Sequence, residues 1–234
     1  MKLVGERRAL AAAIMAFYTL LYALVALAGV QPELVPMMAA IAGVYGLAFF
    51  ALVAGYFWAR WYAVGVGLYG VIIAGVGIWQ VGAEPVLLFV GVTHLAATVF
   101  LWGHAMSAPY DGQTAWRERF HMDESAVQRL GRAVIRVGVS LPIILAYALA
   151  PRPGGAALAA FVLAVAGLGG LIRLRTWGVL ALGAAGALSL TAAGGELAAH
   201  GLGLVALPPA VAGAALIAAT APYLAPIARY LTAR

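Results

Sequence analysis

Long apolar runs alternate with short loops along the chain, and the positive charges gather in every second loop. Eight such runs are present, at 10–30, 35–58, 61–81, 85–105, 133–150, 156–172, 177–193 and 204–224. A helix crosses a bilayer with ~20 predominantly apolar residues, and ~17 suffice. In hydrocarbon every backbone N–H and C=O must be paired within the protein, so runs of this length are helices. The expected fold is all-α, a polytopic transmembrane helical bundle of about eight spans. The 9% of charged residues compares with ~25% in a soluble domain. A chain this poor in charge cannot clothe itself in hydrated surface, so the lipid bilayer is its first expected partner.

Lys2, Arg7 and Arg8 precede the first span, and Arg60 lies between the second and third. Arg117, Arg119, Arg129 and Arg132 lie in the central linker, with Arg136 at the mouth of the fifth span. Arg173 and Arg175 separate the sixth and seventh spans, and Arg229 and Arg234 follow the eighth. Threading the chain eight times puts 13 of its 14 Lys and Arg residues on one face, with Arg152 alone opposite. The positive-inside rule makes the crowded face cytoplasmic, with both termini there and the protein in an inner (plasma) membrane. The net charge of +6 therefore reads as orientation signals and headgroup contacts rather than nucleic-acid binding. The basic N-terminus before an apolar run looks like a signal peptide, but 10–30 exceeds the usual ~7–15-residue signal core and reads as a retained first span.

Aromatic residues mark the expected membrane edges. Tyr56, Phe57, Trp58, Trp61 and Tyr62 crowd the inner end of the second and third spans, Trp102, Trp116 and Trp177 other inner edges, and Trp79 an outer one. Trp and Tyr favour the headgroup level, so these rings read as anchors.

Residues 1–106 and 132–234 can be read as two parallel four-span halves joined by a cytoplasmic linker at 107–131. Trp61, Gly67 and Gly70 open the third span with the spacing of Trp177, Gly183 and Gly186 in the seventh, and Tyr22-Ala23-Leu24 echoes Tyr147-Ala148-Leu149. Duplication and chance both account for this echo, because Trp and small residues are common in spans. The 29 glycines let helix backbones approach closely. Ala39, Gly43 and Gly46, Gly67 and Gly70, and Gly183, Gly186 and Ala187 are the candidate packing faces, either within one bundle or against a second protein. The sixth and seventh spans are short and Gly/Ala-rich, and are expected inside the bundle. Pro208-Pro209 is expected to kink the eighth span or to mark its start.

The span interiors hold no Asp, Glu or Lys, which excludes a retinal Schiff base within them and weighs against a carboxylate-based ion pump. His94 stands out, near the middle of the fourth span beside Thr93 and one turn from Thr98. A midplane histidine must be paired, so it is a candidate site by default. A substrate contact, a proton relay and a haem ligand are its functional roles. The structural alternative is a neutral ring bonded to a carbonyl, Tyr18, Tyr22, Ser140 or Tyr147 on another helix. Haem lacks an obvious second ligand, because His104, His121 and His200 lie elsewhere and His104 is ~15 Å further along the same run. His104-Ala105-Met106 and His121-Met122 are weak soft-metal patterns, and no metal site is expected. With no cysteine, disulfides, thiolate metal sites and S-palmitoylation are excluded.

Glu84, Glu196 and His200 are expected in solvated outer loops, without an accompanying nucleophile motif, so no catalytic residue is assigned. In the linker, Ser125 and Gln128 form a candidate capping box. Arg129, Arg132 and Arg136 then share one helix face. With Trp116, Arg117 and Arg119 they are candidates for contact with anionic lipid or a cytoplasmic partner. No motif is specific enough to name a family. The leading reading is a non-enzymatic structural or accessory subunit that packs against other membrane subunits or itself. The alternatives are a small-solute transporter or channel with His94 at the midplane, and a haem-bearing redox subunit.

Overall fold

The structure, a computed structural model, describes residues 3–106, 110, 123–149, 155–200 and 206–232. Among them eight helices follow in order: α1 (Val4–Ala28), α2 (Val35–Ala54), α3 (Ala59–Val81), α4 (Pro85–Leu101), α5 (Glu124–Ala148), α6 (Gly155–Ile172), α7 (Thr176–His200) and α8 (Leu207–Thr232). Seven are long and apolar enough to cross a membrane, and α4, with 17 residues, is the shorter apolar helix. The all-helical membrane bundle is therefore observed.

Several boundaries differ from expectation. The fourth span stops at Leu101, because Trp102 is extended and Gly103 turns the chain at φ +100°. His104 consequently opens a separate 3-10 turn rather than continuing α4. α5 starts at Glu124, well inside the stretch expected to be linker. Its cap is Asp123, whose Oδ1 accepts from the Ala126 N–H at 2.6 Å and the Ser125 hydroxyl at 2.9 Å. Those bonds hold the Asp123 carboxyl below its usual range, the Ala126 N–H contributing most. The expected Ser125/Gln128 box does not form, since Gln128 Nε2 turns to Glu124 Oε1 at 3.4 Å. α7 is not short but runs 25 residues to His200, so Glu196 sits on a helix rather than in a loop. Pro208 and Pro209 occupy the first turn of α8, where missing N–H groups cost nothing, and mark its start.

Helices α1 to α4 close a ring in which each packs on the next and α4 returns to α1. Helices α5 to α8 close a second ring in the same way, and α5 joins the two by packing on α3 and α2. α5 is the most enclosed helix: 67% of its most apolar stretch is buried, against 39% in α6 and α7. α3 has the same 39%, and α1 and α8 only 22% and 28%, so the sixth and seventh spans are neither the most nor the least enclosed.

Glycine sets the spacing at the α3–α5 junction. A Cβ on Gly65 would lie 2.9 Å from Gly138 Cα, and one on Gly138 would lie 2.8 Å from the Tyr62 carbonyl oxygen. Backbone meets backbone there, which only glycine permits. Within the rings a second pattern recurs. Gly67 faces Thr98 in α3–α4, and Gly183 faces Thr220 in α7–α8. Each threonine hydroxyl bonds the carbonyl one turn back, on His94 and Leu216 respectively. Leu216 thus stands one turn before its threonine, as His94 does, while the space facing Gly186 is taken by Ile217. Gly43, by contrast, has open space at its Cβ position.

The arginine-rich end is built by capping. Arg7 Nη2 donates to the Val99 and Trp102 carbonyls at 3.0 and 2.7 Å, closing the end of α4. Arg8 Nε donates to the Leu52 carbonyl at 3.0 Å and Nη2 to Val53 at 2.9 Å, closing α2. Arg60 Nη1 donates to the Gly103 carbonyl at 3.0 Å. Helix C-termini present unpaired carbonyls and partial negative charge, so a guanidinium satisfies both demands. Of the expected anchors, Tyr56, Trp79, Trp102 and Trp177 are exposed, but Trp58 and Tyr62 are core residues. Trp116 and Arg152 lie outside the described residues.

The α3–α5 contact yields a direct test. Gly65→Ala should lower the detergent-solubilised protein's thermal stability by about 1–3 kcal/mol, the usual result of overpacking. Gly75→Ala, where a Cβ meets nothing, should leave the melting temperature unchanged or slightly higher.

Candidate functional site

His94 lies on α4 and is wholly buried. Its ring occupies a space that α3 leaves open, since a Cβ on Gly70 would collide with the imidazole. Nδ1 is 2.8 Å from the Val90 carbonyl oxygen, one turn back on the same helix. A carbonyl only accepts, so Nδ1 carries the proton. Nε2 then accepts from the Tyr45 hydroxyl of α2 at 2.7 Å. The tyrosine partner on another helix is the structural arrangement expected, but the residue is Tyr45, not one of the four considered.

Those four are placed as follows. The Tyr18 ring of α1 packs on the imidazole, with centroids 4.2 Å apart. Its hydroxyl donates to Thr93 Oγ1 at 2.6 Å, and Thr93 in turn donates to the Phe89 carbonyl at 2.7 Å. Tyr22 stacks on Tyr45 at 5.6 Å and so backs the ring that holds His94. Ser140 and Tyr147 belong to the other half: Ser140 Oγ donates to the Arg136 carbonyl at 2.8 Å, and Tyr147 donates to Glu196 Oε1 at 2.8 Å. The structure thus brings together Tyr18, Tyr22, Thr93, His94 and Thr98, and adds Tyr45 and Gly70. All four helices of the first ring contribute. Tyr45 carried no signal of its own in the sequence. It lies 49 residues from His94, and only the packing of α2 on α1 and α3 brings it close.

An axial haem ligand binds iron through an in-plane ring nitrogen, and here Nδ1 is on Val90 and Nε2 is taken by Tyr45, so the ring as placed does not fit haem. Among the described residues no group of three or more His, Cys, Asp or Glu is placed to hold a metal ion.

The arginine face of α5 is the second candidate. Arg117 and Arg119 lie outside the described residues. Counting from Glu124 at 1.5 Å per residue, Arg136 lies ~18 Å along α5. Its Nη1 donates to the Ala218 carbonyl of α8. Ala218 is the residue four before Pro222, so its carbonyl lacks the N–H that would normally pair with it. The arginine replaces the missing donor. Arg129 and Arg132 lie toward Tyr223 of α8, whose buried hydroxyl has no hydrogen-bond partner among the described residues.

At the arginine-rich end, Tyr110 is buried under Arg8, with the guanidinium carbon 5.3 Å from the ring centroid. Burial raises the Tyr110 pKa, and Arg8 and Arg60 partly oppose this. No family model, curated protein or solved structure matches the chain.

Two outcomes follow. Tyr45→Phe strands His94 Nε2 and His94→Leu strands the Tyr45 hydroxyl, so each alone should destabilise by about 1–3 kcal/mol in thermal melts, whereas the double substitution, which removes both partners, should be milder. In a double-mutant cycle, Pro222→Ala restores a donor to Ala218. Arg136→Gln should therefore destabilise less in that background, with a coupling of about 0.5–3 kcal/mol.

Proposed function

We propose that this multi-pass membrane protein is a non-enzymatic structural or accessory subunit of a membrane complex, in a bacterial-type inner membrane with both termini cytoplasmic. The observation that carries this reading is the closed state of the His94 centre. Its one midplane imidazole spends both nitrogens on Tyr45 and Val90 and binds four helices together. A group so engaged braces the bundle rather than meeting a solute. The orientation rests on Arg7, Arg8 and Arg60, which share the end where α2 and α4 finish, together with the positive-inside rule. The partner is another membrane protein or a second copy of the chain. Arg129 and Arg132, with Arg117 and Arg119 of the linker, are the residues to meet it or anionic headgroups. The matching rings and the Gly67–Thr98 and Gly183–Thr220 pairs support duplication of a four-helix unit.

A second reading, a small-solute transporter working through His94, is favoured by one asymmetry. In the second ring apolar residues stand where the imidazole would be expected, Ile217 against Gly186 and Leu216 one turn before Thr220, so a four-helix ring of this kind does not itself demand a polar group there.

A native mass spectrum of the tagged protein, gently extracted from its own membrane, separates the two. The subunit reading expects added protein mass, retained in His94→Leu. A lone chain whose solute uptake is abolished by His94→Leu would replace it with the transporter.

A further inference from the structure

Arg7, Arg8, Arg60, Arg136 and Arg229 each donate to a backbone carbonyl. Arg129 and Arg132 do not. They stand three residues apart on one face of α5, Arg129 half-buried and Arg132 exposed, and both lie toward Tyr223 of α8. Among the described residues neither has a hydrogen-bond or ion-pair partner. Asp123 lies within electrostatic reach of Arg129, but its Oδ1 already accepts from Ala126 and Ser125. A partly buried cation without a counter-charge is costly, so this corner of the molecule calls for an anion.

Depth identifies the anion. From Arg132 to Ala148, and from Tyr223 back to Leu207, each helix runs 16 residues, or ~24 Å. Arg136 is the only charged residue in those stretches, and it is spent on Ala218. That length falls just short of the ~30 Å of bilayer hydrocarbon, and long arginine stems reach across the difference. On the other side of the pair, Asp123, Glu124, Ser125 and Gln128 are all exposed. The two guanidiniums therefore sit where hydrocarbon gives way to headgroups, at the depth of lipid phosphates. Residues three apart on a helix have Cβ atoms ~5–6 Å apart, so each guanidinium can take one non-bridging oxygen of a single phosphate. Two cations on one phosphate leave positive charge over, which favours a headgroup with no ammonium of its own. We propose that Arg129 and Arg132 form, against α8, a binding site for the phosphate of one anionic glycerophospholipid. The site rests on the role proposed above for these two residues, narrowed to the headgroup, and does not depend on a subunit partner.

The test uses the full chain reconstituted in vesicles of equal parts phosphatidylglycerol and phosphatidylethanolamine, re-extracted in mild detergent and examined by native mass spectrometry. One phosphatidylglycerol should survive activation that strips phosphatidylethanolamine. Arg132→Gln should retain about tenfold less, the effect of one hydrogen bond to a charged group. Adding Arg129→Gln should remove the preference altogether. Arg173→Gln with Arg175→Gln, an exposed pair on the hairpin between α6 and α7, should keep it. Thermal melts check that each variant is folded, as expected for changes at exposed or half-buried surface positions. The proposal fails if the wild type loses phosphatidylglycerol as readily as phosphatidylethanolamine, if folded Arg132→Gln retains as much as the wild type, or if the hairpin pair costs as much as Arg129 and Arg132. In protein extracted from its own membrane, a bound protein lost in the Arg129→Gln/Arg132→Gln variant, with lipid retention unchanged, would assign the site to that partner instead. The vesicles hold this chain alone, so failure of the lipid site and failure of the subunit reading are told apart.

Discussion

A backbone carbonyl without its helical donor cannot turn to water inside a bilayer. Much of this structure answers that constraint with arginine. Arg7 and Arg8 leave the first turns of α1 to close the ends of α4 and α2, and Arg60 takes the Gly103 carbonyl where the chain leaves α4. Arg136 does the same in mid-helix, at the Ala218 carbonyl freed by Pro222. A guanidinium offers five donors on a long stem, so one residue can serve another helix and still direct charge toward an interface. The charge asymmetry that orients the chain is thus partly the same set of residues that fastens its helices.

Where no orphan carbonyl intervenes, the helices meet through absent side chains. Gly65 against Gly138 brings α3 and α5 to backbone contact, and Gly70 opens the space for His94. The two rings share this design but differ in what they enclose. The first surrounds a tyrosine–histidine–threonine network, and the second is tied by Arg136 on the Ala218 carbonyl and Tyr147 on Glu196 around an apolar Leu216. A buried network specifies one arrangement of its partners more sharply than aliphatic packing, provided each group is satisfied. In the His94 centre the imidazole, Tyr18, Tyr45, Thr93 and Thr98 each have a partner.

The number and order of the helices were legible in hydropathy, because a bilayer imposes one length on every crossing. That His94 would be buried and need a partner was legible too. Its partner was not, because Tyr45 resembles any other span tyrosine until α2 is packed. The contact of Arg136 was hidden by the same kind of gap, since the Ala218 carbonyl it serves, freed by Pro222, lies 82 residues away. Contacts between distant segments leave no local period to read.

Among the described residues the helices α1 to α4 pack on one another through residues before 107, and their principal contacts to α5 come from α2 and α3. During synthesis the first ring can therefore close in the membrane while the second is still being made, as N-terminal units commonly do. The glycine-lined side of α3 then waits as a template, and α5 is the first segment able to settle on it. Assembly has a built-in order, with the junction between the halves formed by the earliest helix of the late one.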